Sequence, residues 1–184
     1  DFEGTVAFDD VTLTSAGDSD GFLAKFGSDG NPQWVEAIGG TSSDSVSAVE
    51  LDPFGDPVLL GHFSGTASMG GHTIESAGSN DVFLVQASAN SGGVLSIRAI
   101  GGPGTEEARG LAIGTDGSFH LAAHHGGEAQ LDDHTVTSSG TSGSLLAKAG
   151  ASRGLPETTI PSRLEIMPGD TFRLELDAIL PGGP

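Results

Sequence analysis

NDVFLVQ, residues 80–86, is a short apolar run that occurs in three versions along this chain. The version SDGFLAK stands before it at 19–25, and the version SGSLLAK follows it at 142–148. An apolar run of this length between Gly, Ser and Asp residues is typical of a buried strand. Three copies at a nearly constant spacing predict a repeat architecture.

Other segments recur with the same spacing. Phe2-Glu3-Gly4-Thr5 returns as Phe63-Ser64-Gly65-Thr66 and, in a degraded form, at residues 125–128. Each copy then continues into two alternating segments joined by a two-residue Asp or Gly turn, which indicates a β-hairpin. Further alternating segments, such as 33–38, precede the next copy. No stretch of residues 1–150 keeps a helical period, so the pattern predicts an all-β chain.

Four strands and one small hairpin per period of about 61–62 residues predict propeller-type repeats, with four-stranded antiparallel blades. The alternation stops near Gly150 and resumes in a β-hairpin pattern at 163–176. Those last strands are either a closing element or the start of a following β domain. The predicted segments are a repeat region at 1–150 (copies at 2–62, 63–124 and, incompletely, 125–149), a linker at 151–162 and C-terminal strands at 163–184.

The chain holds too few repeats to close a propeller. Residues 1–148 contain about 2.4 periods, whereas a closed propeller has about 4–8 blades. The chain also opens on Asp1 in mid-pattern, without an initiator Met. We therefore expect either a piece of a longer polypeptide or a structure that several chains complete, with self-association through open strand edges.

Charge and composition exclude several classes of function. Seven Lys and Arg residues against 25 Asp and Glu residues give a net charge of −18. Such a surface repels phosphate backbones, so we expect no nucleic-acid partner. No apolar run approaches the roughly 18 residues of a membrane span, so we expect no membrane insertion. The absence of cysteine excludes disulfides, thiolate zinc sites and cysteine nucleophiles.

The repeated motifs resemble a known family. The combination of Phe-x-Gly-Thr, Ser-Ala-Gly-x-x-Asp-x-Phe-Leu and Ala-Ile-Gly-Gly resembles the bacterial β-propeller repeat of large exported proteins, often called the SBBP repeat. The likeness covers residues 2–149 and is clearest at 63–66 and 76–84. It implies a propeller-type, non-catalytic architecture in an exported or surface protein, with no catalytic residues to carry over. The third copy departs from the pattern, with Leu145 for the aromatic residue and Gly143 for the acid. Residues 168–172 resemble the opening strands of cohesin-like or Ig-like domains.

The histidines are candidate metal ligands. His62 and His124, and likewise His72 and His134, are one full period apart, which indicates equivalent positions on neighbouring blades rather than one site. His120 and His124 share one face of a predicted strand, so they are candidate zinc ligands, with Glu128 as a third. The alternative is that all of them are surface or turn residues encoded by the repeat.

Aspartates in two Gly-rich turns are candidate ligands of structural calcium: Asp18 and Asp20 in one turn, and Asp29 in the next. Neither turn continues into an EF-hand loop, and aspartates in such turns commonly bond their own backbone. We assign no catalytic and no cofactor-binding residues, because no nucleophile elbow or phosphate loop occurs. Carboxylates that pair only in space would leave a glycosidase-like activity open. Trp34, the only tryptophan, is predicted to pack between blades.

Together these features predict a non-catalytic scaffold, adhesion or binding module of a bacterial exported or surface protein. Its partners would be proteins or glycans, and its location extracellular or on the cell surface. The alternative is a structural subunit that assembles in trans into an oligomer or fibre. A carbohydrate-active enzyme fragment is the lesser alternative.

Overall fold

The computed structural model describes residues 1–132 and 134–150, and the backbone of residues 163–165 and 173–175. Within these residues the chain forms strands and no helix, which confirms the predicted all-β class. The strands are β1 (Thr5–Phe8), β2 (Val11–Thr14), β3 (Gly21–Phe26), β4 (Pro32–Gly40), β5 (Ser45–Leu51), β6 (Pro57–Phe63), β7 (Thr66–Met69), β8 (His72–Glu75), β9 (Asp81–Ala87), β10 (Val94–Ile100), β11 (Glu107–Ile113), β12 (Phe119–His125), β13 (Glu128–Leu131), β14 (His134–Thr137), β15 (Gly143–Ala149), β16 (Arg163–Glu165) and β17 (Arg173–Glu175).

The most complete unit of the repeat is a four-stranded sheet of order β10-β9-β6-β5, here called the second sheet. Its neighbouring strands are all antiparallel, and the hairpin β7–β8 is inserted between β6 and β9. Four strands and one hairpin per period are thus present, as predicted. The sheet takes β5 and β6 from the first sequence copy and β9 and β10 from the second. The boundaries of the sheets therefore do not coincide with the boundaries of the sequence copies, and we call this the phase difference.

Two more sheets flank the second sheet. The first sheet has the order β3-β4-β7-β8, and the third has the order β11-β12-β15. The cluster between the first and second sheets includes Leu23, Ile38, Leu59, Phe83 and Val85. The cluster between the second and third sheets includes Leu60, Val82, Leu84, Leu121 and Leu145. β9 is therefore buried on both faces along its length, and each such Leu or Phe contributes about 1.5–3 kcal/mol.

Burial on both faces holds for β9 but not for its copies β3 and β15. Phe22 in β3 is only half-buried, and Leu146 in β15 is exposed. These two strands lie in the outer sheets, where no further three- or four-stranded sheet packs on the outer face among the described residues; the hairpin β1–β2 contacts β3 through Phe8 and Phe22. The same apolar run therefore has a different environment in each copy.

The hairpins β7–β8 and β13–β14 each reach the preceding sheet. β7 pairs with the end of β4 through Gly39 and Gly40, and the bridge between Gly101 and Gln130 repeats this contact in the next copy. A Cβ atom at Gly40 would overlap the carbonyl oxygen of Thr66. The Ala-Ile-Gly-Gly motif is thus explained by a close approach of two backbones, which only glycine allows.

The predicted C-terminal hairpin is present as two paired strands. β16 pairs antiparallel with β17, with Leu164 opposite Leu174. The predicted linker at 151–162 and the turn at 168–170 lie outside the described residues.

Candidate functional site

Buried carboxylates occupy repeated positions at the sheet junctions. Asp81 begins β9 and is 2% exposed, while Glu106 precedes β11 and is 1% exposed. Their counterparts in the first copy, Asp20 and Asp44, are buried as well. Sequence analysis missed Asp44 and Glu106. In both copies an acidic residue stands four positions after the second glycine of Ala-Ile-Gly-Gly, and this recurrence could have identified them.

Glu106 and Asp44 accept hydrogen bonds from the backbone. Glu106 accepts from the N–H groups of Gly102, at 2.9 Å, and Gly126, at 3.2 Å. Asp44 accepts from the N–H groups of Gly40, at 2.6 Å, and Ser64, at 3.1 Å. Asp44 therefore joins the end of β4 to the turn before β7, and Glu106 joins the end of β10 to the turn before β13.

Asp81 and Glu106 form a carboxyl pair. The Oδ2 atom of Asp81 accepts from the N–H of Ala77 at 2.7 Å, and its buried Oδ1 atom has no hydrogen-bond partner among the described residues. Burial raises the pKa of Asp81 to about 6; the Ala77 N–H opposes this, and the nearby Glu106 carboxyl adds to it. Burial also raises the pKa of Asp44, although the hydrogen bonds from its two N–H donors lower it in part. Such a pair can hold one proton between two carboxyl groups.

A polar cleft of about 380 Å³ opens beside Asp81. Its lining includes Glu75, Arg98, Gln130 and Asp132, and Arg98 Nη1 lies 2.8 Å from Asp132 Oδ2. Glu106 does not line this cleft.

The three calcium candidates do not converge. Asp20 is buried, with its Oδ2 atom accepting from the N–H of Ala16, and Asp18 is exposed nearby. Asp29 lies beyond the other end of β3, where it accepts from the backbone and side-chain nitrogens of Asn31. Within the described part of the chain, no group of three or more His, Asp or Glu side chains is close enough to hold a metal ion.

The zinc candidates lie on one face of β12, as predicted. The strand rise from His120 to His124 separates the two residues by about 13 Å, which is wide for two ligands of one zinc ion. His120 Nε2 is 3.1 Å from the Oγ atom of Ser118. His124 lies opposite Glu107 and Ser144, and its counterpart His62 holds the equivalent register in β6. Glu128 is exposed on β13.

Four phenylalanines form an apolar surface on the outer side of the first sheet, here called the phenylalanine face: Phe2, Phe8, Phe22 and Phe26. The Phe8 ring centroid is 5.1 Å from that of Phe22 and 6.3 Å from that of Phe26, and Phe2 is 6.1 Å from Phe22. Phe26 is 49% exposed. The counterparts one period later, Phe63, Met69, Phe83 and Ala87, are fully buried where the second sheet meets the first.

The outer side of the third sheet is different. The positions of Val58, Val82 and Leu60 in the second sheet are taken there by His120, Ser144 and Ala122. Lys148 replaces Gln86 and bonds Asp116 at 3.1 Å. The outer side of the third sheet is thus mixed, with His120, Ser144 and Lys148 beside the exposed Leu146.

Trp34 packs between sheets, as predicted. Its indole N–H donates to the carbonyl of Ala89, at 3.1 Å, in the turn after β9. The Lys25 ammonium donates to the same oxygen at 2.8 Å. Both side chains therefore fix the first sheet against the second.

Comparison with known proteins gives no family. No protein-family model matches the chain, and no curated protein matches it. Among the described residues, no helix is long and apolar enough to cross a membrane.

Proposed function

We propose that this chain is a non-catalytic β-repeat scaffold or binding module that acts through its exposed sheet faces. The proposal rests on one observation, the phenylalanine face, in which Phe26 is 49% exposed and the other three rings are half-buried. The same positions in the next copy are covered by a whole sheet. The resemblance of the repeat to bacterial exported propeller proteins supports a place on the cell surface or outside the cell.

The chemistry of the face favours a protein partner. Its four aromatic rings are linked by three ring contacts, and aromatic rings dominate the energetics of protein interfaces. The segment 1–62, which carries the face, holds twelve carboxylates against one lysine, so this part of the chain has a strong negative charge. We expect a partner with an apolar centre and a neutral or basic rim.

Sedimentation velocity tests the proposal. With no other partner present, we expect the wild-type chain to associate reversibly through its apolar face. The double variant Phe8→Ser, Phe26→Ser should remain a monomer without losing its strand content. The matched control is Phe54→Ser, since Phe54 is exposed in a turn away from the face. Identical sedimentation of wild type and double variant at every concentration would refute the proposal.

A structural subunit that assembles in trans is the second candidate. The observation that favours it is that, within the part of the chain that the structure describes, β3 and β15 each lie at the end of their sheet. The two candidates differ in the size of the particle: a binding module gives a closed small species, whereas contacts between unlike ends give open-ended growth. The same sedimentation series measures this.

A further inference from the structure

The polar cleft beside Asp81 has an excess of negative charge. Its lining holds three carboxylates, from Glu75, Asp81 and Asp132, and one guanidinium, from Arg98. Arg98 is paired with Asp132 at 2.8 Å, whereas within the described part of the chain no ion pair joins Glu75 or Asp81 to a cation. Two carboxylates of the cleft are therefore left for a positively charged ligand.

Asp81 gives this cleft a buried hydrogen-bond acceptor. The residue is 2% exposed, and its Oδ1 atom accepts no hydrogen bond from the described residues. Gly101 lines the cleft as well, and a Cβ atom there would overlap the Asp81 carboxyl group. The missing side chain at this position therefore leaves the carboxyl group beside the cleft. A buried carboxylate oxygen without a donor is costly, and a ligand that brings N–H groups would remove that cost.

The charged groups around Asp81 are not repeated in the first copy. Asp81 itself has a counterpart in Asp20, whose Oδ1 atom likewise has no hydrogen-bond partner among the described residues. The other three charged positions of the cleft are held one period earlier by Thr14, Glu36 and Gly70. A role in the folding of every repeat therefore accounts for Asp81 but not for the charges that surround it.

We propose that this cleft binds an organic cation, a primary ammonium group on a short alkyl chain. The ammonium group lies between Glu75 and Asp81 and donates to the free Oδ1 atom of Asp81, since its three N–H donors and compact charge suit two carboxylates. The alkyl chain contacts Ala77 and Ala99, the apolar residues of the lining, and a volume of about 380 Å³ suits a small ligand. The inference goes beyond the proposed function, because the cleft is not part of the phenylalanine face.

Titration of the full chain, followed by the NMR signals of its backbone amides, tests the proposal. The probe is n-butylammonium, and its matched control is n-butanol, which has the same alkyl chain and no charge. The ionic strength is held constant, because salt screens such contacts. We expect saturable shifts of the Ala77 and Gly101 signals with n-butylammonium and none with n-butanol. Shifts that do not saturate, or equal shifts with both probes, would overturn the proposal.

Three charge-neutralising variants locate the binding site. Asp81→Asn should weaken n-butylammonium binding about tenfold, and Glu75→Gln, at an exposed residue, about threefold. Glu50→Gln is the matched control, since Glu50 is exposed on β5, at the opposite edge of the second sheet from β10. Full affinity in a folded cleft variant, or equal weakening by Glu50→Gln, would overturn the proposal. Circular dichroism checks folding, and Glu75→Gln decides the matter if Asp81→Asn does not fold.

Further probes identify the source of the ammonium group. Tighter binding of Nα-acetyl-lysine methylamide than of diaminobutane indicates a lysine side chain of a protein, and the reverse order indicates a free diamine. Calcium ions that displace n-butylammonium and bind more tightly would make this an inorganic cation site and overturn the proposal. The double variant Phe8→Ser, Phe26→Ser should bind n-butylammonium as wild type does, so the cleft and the phenylalanine face are tested independently.

Discussion

Asp81 and Glu106 are two buried carboxyl groups at the junction between the second and third sheets, close enough for the Glu106 carboxyl to raise the pKa of Asp81. In a chain with a net charge of −18, burying such a pair is costly unless one proton is retained. The pair therefore links protonation to the packing of neighbouring repeats.

Stability should fall as the pH rises through this pair. The pKa of Asp81 is about 6 in the folded chain and near 3.8 when exposed, so between these values the folded state binds more protons. The contribution is complete below about pH 4 and is lost as the pH passes about 6. We expect Asp81→Asn, which is always neutral, to melt with a smaller pH dependence than wild type. Parallel melting curves for the two proteins between about pH 4 and 8 would contradict this.

An aspartate with the opposite shift provides the control. Hydrogen bonds from Ser118 and then Lys148 hold the pKa of Asp116 well below its usual range. Its contribution is present above the ordinary carboxyl pKa and is lost on acidification. Asp116→Asn should therefore lower the melting temperature at neutral pH and have little effect in acid, the reverse of Asp81→Asn.

Removing Glu106 should be far more damaging than removing its neighbour. Glu106→Ala leaves the buried N–H group of Gly102 without an acceptor, at a cost of about 1–3 kcal/mol, and also removes the acceptor of the part-buried Gly126 N–H. Glu107 is only half-buried and bonds Arg109 at the surface, so Glu107→Ala should cost less than about 1 kcal/mol. Urea unfolding of the two variants measures the difference. Equal urea midpoints for the two variants would contradict the structural role of Glu106.

The second glycine of Ala-Ile-Gly-Gly should not accept a methyl group. Gly40→Ala brings a Cβ atom against the carbonyl oxygen of Thr66, and the hairpin β7–β8 must shift. We expect a loss of about 1–3 kcal/mol in the free energy of unfolding. Gly110→Ala is the control, because a Cβ atom at Gly110 meets nothing within 4 Å and the strand should be unaffected or slightly stabilised. Similar unfolding midpoints for both variants would contradict the close approach.

Trp34 should stabilise the fold through its hydrogen bond as well as through its packing. Trp34→Phe keeps an aromatic ring but loses the indole N–H bond to Ala89, at an expected cost of about 0.5–1.5 kcal/mol. Lys25→Met removes the other donor to this oxygen. Because the two donors share one acceptor, the double variant should cost more than the sum of the single ones, and a double-mutant cycle tests this.

The repeat, its strands and the equivalence of the histidines could be predicted from local patterns, because apolar alternation and turn residues depend on near neighbours. The carboxyl pair could not, since Asp81 and Glu106 meet only after two sheets pack. Phe22 and Phe83 occupy closely similar local sequences, yet one is half-buried and the other fully buried. Their difference lies in whether a neighbouring sheet is present, which no window around either residue contains.

The phase difference between sheet and sequence copy has a consequence for how such a chain can change in length. A cut at a sheet boundary separates a hairpin from the strand it joins, and a cut at a copy boundary divides a sheet between β6 and β9. Duplicating one whole period, by contrast, supplies two strands to the sheet before it and two to the sheet after it, wherever the insertion falls. Gene duplication by a full period would therefore lengthen the stack without creating a new kind of junction.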